Sequence, residues 1–363
     1  MDFDFQCPTK IYFRNEGVSQ IGRIIADDYH FNKVYFIYGG NSIKKNGTYE
    51  KIIDSLKESK IAYKEHSGIE ANPDIEEIRT MVEEVKLMQP DLILACGGGS
   101  VIDSAKSVAH GFYYDGDPLD FNKHLVRPLH ALPVATILTL VASGSEMSDS
   151  CVVSDRRHHF KAGFNSVTNY PLFSLLDPSL TLSVPAYQLG CGFADMFCHS
   201  FERYFSPSSA IEPCDGFALS IMHDIVRTSY AVLKNPNDIS ARRAMMIEGT
   251  LSHNGFTNYG KGKVFIVHKA EHILSGLYPQ LTHGQGIALL MAEFLKVNAD
   301  RLHDKIMEFG RLVFRKEPLS VAEVIEELEK WLDTLPIAHC YSDLPFEMKE
   351  EDIRKAEKVL KLK

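Results

Sequence analysis

The chain has 363 residues, 45% apolar and 24% charged, a soluble-globular composition with length for two domains and far from disordered or collagen-like chains. Thirty-nine Lys and Arg against 48 Asp and Glu leave a formal charge of −9, which lacks the basic footprint that nucleic acid or an anionic membrane surface requires. No run approaches the roughly 18 apolar residues of a spanning helix, and the opening MDFDFQCPTK is acidic where a secretory leader is basic, so the expected location is cytoplasmic.

Seven cysteines, an odd number scattered without a C-x-x-C pair, are expected to be reduced and mostly buried. Val34 to Tyr38 reads as a buried strand, a polar helical stretch runs from about Tyr49 to Glu58, and Ile61 to Tyr63 begins a second strand. Asn72-Pro73-Asp74 then offers an N-cap, a proline at the first helical position and an early acid. Ile75, Ile78, Met81, Val82, Val85 and Met88 follow at helical spacing until Pro90. Leu92 to Cys96 forms a third strand that runs into Gly97-Gly98-Gly99-Ser100 and a helix from Val101 to about His110.

Alternation of this kind up to about residue 180 predicts a mostly parallel sheet. Beyond about 185 the strand-type runs nearly vanish, and helical patterns occupy 187–205, 213–233, 239–252, 266–277, 284–299, 303–314 and 319–334. The expected architecture is an α/β nucleotide-binding domain over 1–182 and an all-helical domain over 183–363, with Pro178 and Pro185 marking the boundary.

Three places carry chemistry. The glycine triplet Gly97 to Gly99 lets backbone amides approach a phosphate at a helix N-terminus, and it equally suits a tight turn with no ligand. The G-x-G-x-x-G frame fails at Ile102 and the P-loop ending is missing. A second glycine turn, Gly39-Gly40-Asn41-Ser42, follows the first strand without the acid that would hold a ribose diol. Ser42, Lys44 and Lys45 suit a 2′-phosphate, and a solvated surface turn is the bland alternative.

In the helical half, Asp195 and His199 are four apart, as are His268 and His272, and His283 precedes Gly284. Spacing of four places each pair on one helix face, where a carboxylate and imidazoles suit iron, zinc, cobalt or nickel. Fifteen histidines also produce such pairs by chance. Lys269 after His268 breaks the H-E-x-x-H order of a zinc protease.

These segments together resemble one family. GGGSVIDSAK, from Gly97 to Lys106, resembles the GGGSxxDxxK motif of the iron-dependent (group III) alcohol dehydrogenases, and YGGNSIKKNG, from Tyr38 to Gly47, is similar to their butanol dehydrogenase-like branch. Leu132-Pro133 through Ala142-Ser143-Gly144-Ser145-Glu146, the DMFCHSFERY helix from Asp195 to Tyr204, His268 to His272, and Thr282-His283-Gly284 match in order. The resemblance implies a dehydroquinate synthase-like fold with a cleft between the two domains. It implies metal ligands at Asp195, His199, His268 and His283, and a proton relay at His272.

For the cofactor, the resemblance implies contacts at Gly39, Gly40, Ser42, Gly98, Gly99, Ser100, Asp103, Thr139, Ser143 and Lys161. The expected function is reduction of short-chain aldehydes to primary alcohols, with NADP(H) favoured over NAD(H) and one divalent metal, Fe2+ or Zn2+. A homodimer or higher homo-oligomer is expected, with no nucleic-acid or membrane partner. A glycerol dehydrogenase-like enzyme and a catalytically silent paralogue are the alternatives. The chain departs from the family at Val264 and Phe265, which stand for an acid and a tryptophan, and in a loop one residue longer before His283.

Overall fold

The computed structural model describes residues 4–207, 213–261 and 265–362. Val264, one of the departures above, lies outside them. Two compact units emerge: Cys7–Val141 with Ser145–Val184, and Pro185–Lys363 with Met1–Gln6 and Ala142–Gly144.

In the first unit, strands β1 (Lys10–Phe13), β2 (Lys33–Tyr38), β3 (Ala62–Ser67), β4 (Leu92–Gly97), β5 (Val134–Leu138) and β8 (Phe173–Leu176) form one six-stranded sheet. Its order is β1-β8-β5-β4-β2-β3 and each neighbouring pair is parallel. The sequence reason is plain in β4 and β5, in which all residues are buried, as both faces of a parallel sheet must be. Val34, Phe36, Leu92, Leu94, Ala135, Ile137, Phe173 and Leu175 share one apolar cluster.

The chain leaves β2 for β3 on one side and then crosses to β4 on the other. That reversal makes the carboxyl ends of β2 and β4 a topological switch point, where open α/β sheets bind ligands. The pairing of Tyr38 with Cys96 brings Gly39-Gly40 and Gly97-Gly98-Gly99 to the same end of adjacent strands.

Two details differ from the sequence reading. The cap of helix Ile75–Met88 is Asp74, two residues later than Asn72: its carboxylate accepts from the Glu76 amide at 2.9 Å, while the Pro73 carbonyl is taken by the Ser154 amide at 2.9 Å. An antiparallel hairpin of β6 (Ser150–Asp155) and β7 (Phe160–Asn165) also appears inside a region read only as βα alternation.

The second unit is helical, with long helices at Ala186–Phe205, Pro213–Lys234, Ile239–His253, Ile266–Leu277, His283–Val297, Ala299–Val313 and Val321–Asp333. Helix Ala186–Phe205 is buried all round from Leu189 to Phe205, the position of a central helix. Its Phe197 ring lies 4.4 Å from Trp331, Phe201 lies 5.5 Å from Phe294, and Phe205 lies 5.6 Å from Phe309, so an aromatic core fixes its rotation. No helix among the described residues is long and apolar enough to cross a membrane.

Candidate metal centre and nucleotide cradle

Because helix Ala186–Phe205 is buried all round, its charged residues are buried too, and buried charge must be paired or bound. Asp195 and His199 lie one turn apart there, and helix Ile266–Leu277 brings His268. His283 opens helix His283–Val297, where Gly284 permits the approach: a Cβ there would lie 2.1 Å from the Cys191 carbonyl oxygen. The longer loop ahead of it folds as a turn closed by the Leu281 amide on the Tyr278 carbonyl at 2.9 Å.

Asp195 Oδ1 lies 3.7 Å from His199 Nε2, 3.4 Å from His268 Nε2 and 3.6 Å from His283 Nε2. Metal–ligand bonds of about 2.0–2.2 Å in tetrahedral array place ligand atoms about 3.3–3.6 Å apart; Asp195, His199 and His268 hold their ligand atoms within 4.8 Å of one another and fit such a site, while His283 stands outside that compact set and approaches it through Asp195. Asp195 Oδ1 and His268 Nε2 are buried with no hydrogen-bond partner, which is the second sign of fit. The side chain of His283 is 24% exposed against 4% for Asp195 and His199, so the cluster is open to solvent on the His283 side.

Burial holds the His199 imidazole well below its ordinary pKa, reinforced by the neighbouring His253, His268 and Arg203. Arg203 donates to the His199 carbonyl at 3.3 Å and to His253 Nδ1 at 3.2 Å, and the His253 ring stands 4.1 Å from that of His199. His268 moves the other way: burial disfavours its charge, but Glu202 and Asp195 outweigh it and hold it well above the ordinary range. A neutral His199 is ready to donate a lone pair, whereas His268 must release a proton when a metal binds.

Two acids that sequence reading left without a role sit behind the histidines. Glu202 Oε2 pairs with His268 Nδ1, and Glu271 Oε2 pairs with His283 Nδ1. Their signal was available in the spacing, since each stands three residues after a candidate ligand on the same helix. His272 Nε2 lies 4.0 Å from Glu271 Oε2, and its ring is 5.6 Å from that of His283. Cys198 is buried beside Glu202, its thiol pushed up to about 12 by burial, with its Sγ 3.9 Å from Oε2 of that acid.

In the α/β unit, Gly98 caps helix Gly99–Gly111 without a side chain, leaving the amides of the first turn, at Gly99 and Ser100, to face a ligand. Gly97 is needed for close approach, because a Cβ there would stand 2.4 Å from Val101 Cγ2. The Thr139 amide bonds the Gly97 carbonyl at 3.0 Å, placing Thr139 beside this turn. Gly40 and Ser42 are exposed at the neighbouring turn, Gly39 is half-buried, and Lys44 lies over the rings of Tyr38 and Tyr49 at 5.2 and 4.9 Å. Lys161 Nζ donates to Asn72 Oδ1 at 2.9 Å. Ser143 belongs to the short segment grouped with the helical unit.

Asp103, expected at the cofactor, is buried and hydrogen-bonded within the unit. Its Oδ1 accepts from Ser145 Oγ at 2.6 Å and its Oδ2 from the Val152 amide at 3.0 Å. Lys106, fully buried, donates to the carbonyls of Ser145, Ser148 and Ser150 and to Ser145 Oγ at 2.8–3.2 Å. The motif's acid and lysine thus strap residues 145–152 to the helix that carries the cradle.

Comparison with known proteins decides the family. Residues 8–178 match the model for iron-containing alcohol dehydrogenases, and residues 191–361 match the model for the C-terminal part of the same family. The chain belongs to the iron-containing alcohol dehydrogenase family.

It is 36% identical to NADH-dependent butanol dehydrogenase A of Clostridium acetobutylicum over 93% of this chain and 87% of that protein. It is 29% identical to the NADPH-dependent aldehyde reductase YqhD of Escherichia coli over 86% of this chain and 80% of that one. The solved NADH-dependent butanol dehydrogenase A of Thermotoga maritima superposes with a TM-score of 0.91 at 30% identity, covering 99% of both chains. This family member is an oxidoreductase of alcohols and aldehydes, and membership in the family implies a nicotinamide cofactor and a divalent metal.

Proposed function

We propose that this enzyme reduces short-chain aldehydes to primary alcohols, with NADPH preferred over NADH and the metal held by Asp195, His199, His268 and His283. The convergence of three imidazole Nε2 atoms within 3.4–3.7 Å of one carboxylate oxygen carries the reading. A divalent ion held there supplies Lewis acidity, polarising the aldehyde carbonyl or lowering the pKa of the alcohol.

The chain does the remainder. The amides at Gly98, Gly99 and Ser100 receive the pyrophosphate, and Gly39, Gly40 and Ser42 receive the adenosine end at the switch point. Thr139, Ser143 and Lys161 serve the nicotinamide half, and holding the dinucleotide at many points orients hydride transfer. His272, on the His283 side, exchanges the alcohol proton with solvent.

The phosphate preference rests on the turn after β2, which has no acid to hold a ribose diol and offers Ser42 and two lysines. Relatives carry both NADH- and NADPH-dependent names, so the turn is the discriminating feature. The reading includes a cytoplasmic location and a homodimer or higher assembly, which cell fractionation and light scattering check.

The test follows oxidation of NADPH and NADH with butanal and other short aldehydes, before chelation, after it, and after refilling with ferrous iron or zinc. Chelator-sensitive turnover restored by one metal, faster with NADPH, is expected. Activity indifferent to chelation removes the metal assignment, and equal use of both cofactors removes the phosphate preference.

A further inference from the structure

We infer that Glu202 and Glu271 are positioning residues that set the affinity of the metal centre, each by fixing the ring orientation and tautomer of one ligand histidine. The inference rests on the metal reading above and adds two residues to it. Glu202 pairs through Oε2 with His268 Nδ1, and its Oε1 accepts the Val267 amide, so both oxygens are committed. Glu271 pairs through Oε2 with His283 Nδ1 and is fully buried. An imidazole whose Nδ1–H is donated to a carboxylate presents Nε2 as its lone-pair atom, and these are two of the three Nε2 atoms that face Asp195.

The placement interlocks the three ligand-bearing helices. Helix Ala186–Phe205 carries Asp195, His199 and the acid that orients His268. Helix Ile266–Leu277 carries His268 and the acid that orients His283 at the start of the next helix. The first two of these helices thus each orient a ligand of the next as well as carrying their own. Gly286 lets this happen at close range, since a Cβ there would lie 2.8 Å from Glu271 Cγ. Both carboxylates also add negative charge behind a cation without occupying one of its coordination positions.

The experiment uses the full-length protein, freed of metal and titrated with Co2+ against a chelator of known affinity, with the ligand-field spectrum recorded at saturation. Glu202→Gln and Glu271→Gln each keep shape and remove the charge. Each is expected to weaken cobalt affinity about 10–100-fold and to alter the visible band of the bound ion. Glu248→Gln, which removes a buried carboxylate elsewhere in the helical unit, is expected to change neither.

Should one variant fail to fold, as judged by circular dichroism, the other carries the test. Wild-type affinity and an unaltered spectrum in the folded variants overturn the inference while leaving the metal site standing. Failure of the wild-type protein to bind cobalt overturns the metal reading, and this inference with it.

Discussion

His268 Nε2 stands 3.4 Å from Asp195 Oδ1, and neither buried atom has a hydrogen-bond partner. A buried polar atom left in that condition costs about 1–3 kcal/mol, more when it is charged. The aromatic packing around Phe197, Phe201 and Phe205 holds the helix in the rotation that enforces this cost, which a bound cation offsets.

Removing either ligand from the central helix therefore has a defined consequence. Asp195→Ala and His199→Ala are expected to lower turnover by at least about a thousandfold, the several kcal/mol of charge stabilisation that a metal supplies. Nucleotide binding, followed by fluorescence titration with NADPH, is expected to stay near the wild-type value because the glycine turns belong to the other unit. Undiminished turnover in either variant contradicts the ligand assignment.

Cofactor choice is testable at the turn after β2. Ser42→Ala is expected to raise the Kd for NADPH about tenfold and that for NADH less than about twofold, since a hydrogen bond to a charged group is worth roughly 1.5–3 kcal/mol and exposure reduces it. Equal changes for the two cofactors would show that Ser42 does not meet the 2′-phosphate.

Glu248 makes the stability of the helical unit depend on pH. Burial pushes its carboxyl up to about 7; Asp224 adds to this, while Thr228, which donates to Oε1 at 2.7 Å, and Arg227 oppose it. The folded state therefore holds a proton that the unfolded state releases at the ordinary value of 4.5. No cost arises below the unfolded value, stability falls as pH rises from about 4.5 to about 7, and above that the full cost, roughly 3 kcal/mol, applies. Glu248→Gln is expected to raise the melting temperature at pH 8 by several degrees and to change it little at pH 4.5, as calorimetry at the two values will show.

Much of this architecture was legible because its signals are local. The seven long helices of the second unit follow apolar periodicity, and the four candidate ligands stand within short recognisable segments. What escaped depends on partners distant in sequence. The β6–β7 hairpin is short and lacks a clean alternation, so only its register, Ser150 against Asn165 through Asp155 against Phe160, reveals it. The partners of Asp103, Ser145 and the Val152 amide, stand 42 and 49 residues away and are invisible until the chain is folded. Glu202 and Glu271 look like ordinary helical acids until His268 and His283, 66 and 12 residues away, are folded against them.

Removing the strap tests its worth. Lys106→Met leaves the buried carbonyls of Ser145 and Ser148 and the partly buried one of Ser150 without their shared donor, and is expected to destabilise the α/β unit by about 3 kcal/mol or more. Urea unfolding followed by a probe in that unit measures it. A change below about 1 kcal/mol would mean that the loop is held by other contacts.

The same buried ammonium is a clock for the domain. An amine-directed reagent meets the surface lysines at once, but it reaches Lys106 only when residues 145–150 leave it, because the side chain is enclosed. The rate at which that one lysine is acylated, read by mass spectrometry, therefore counts the openings of the loop beside the glycine turn, one chemical step standing for one structural event.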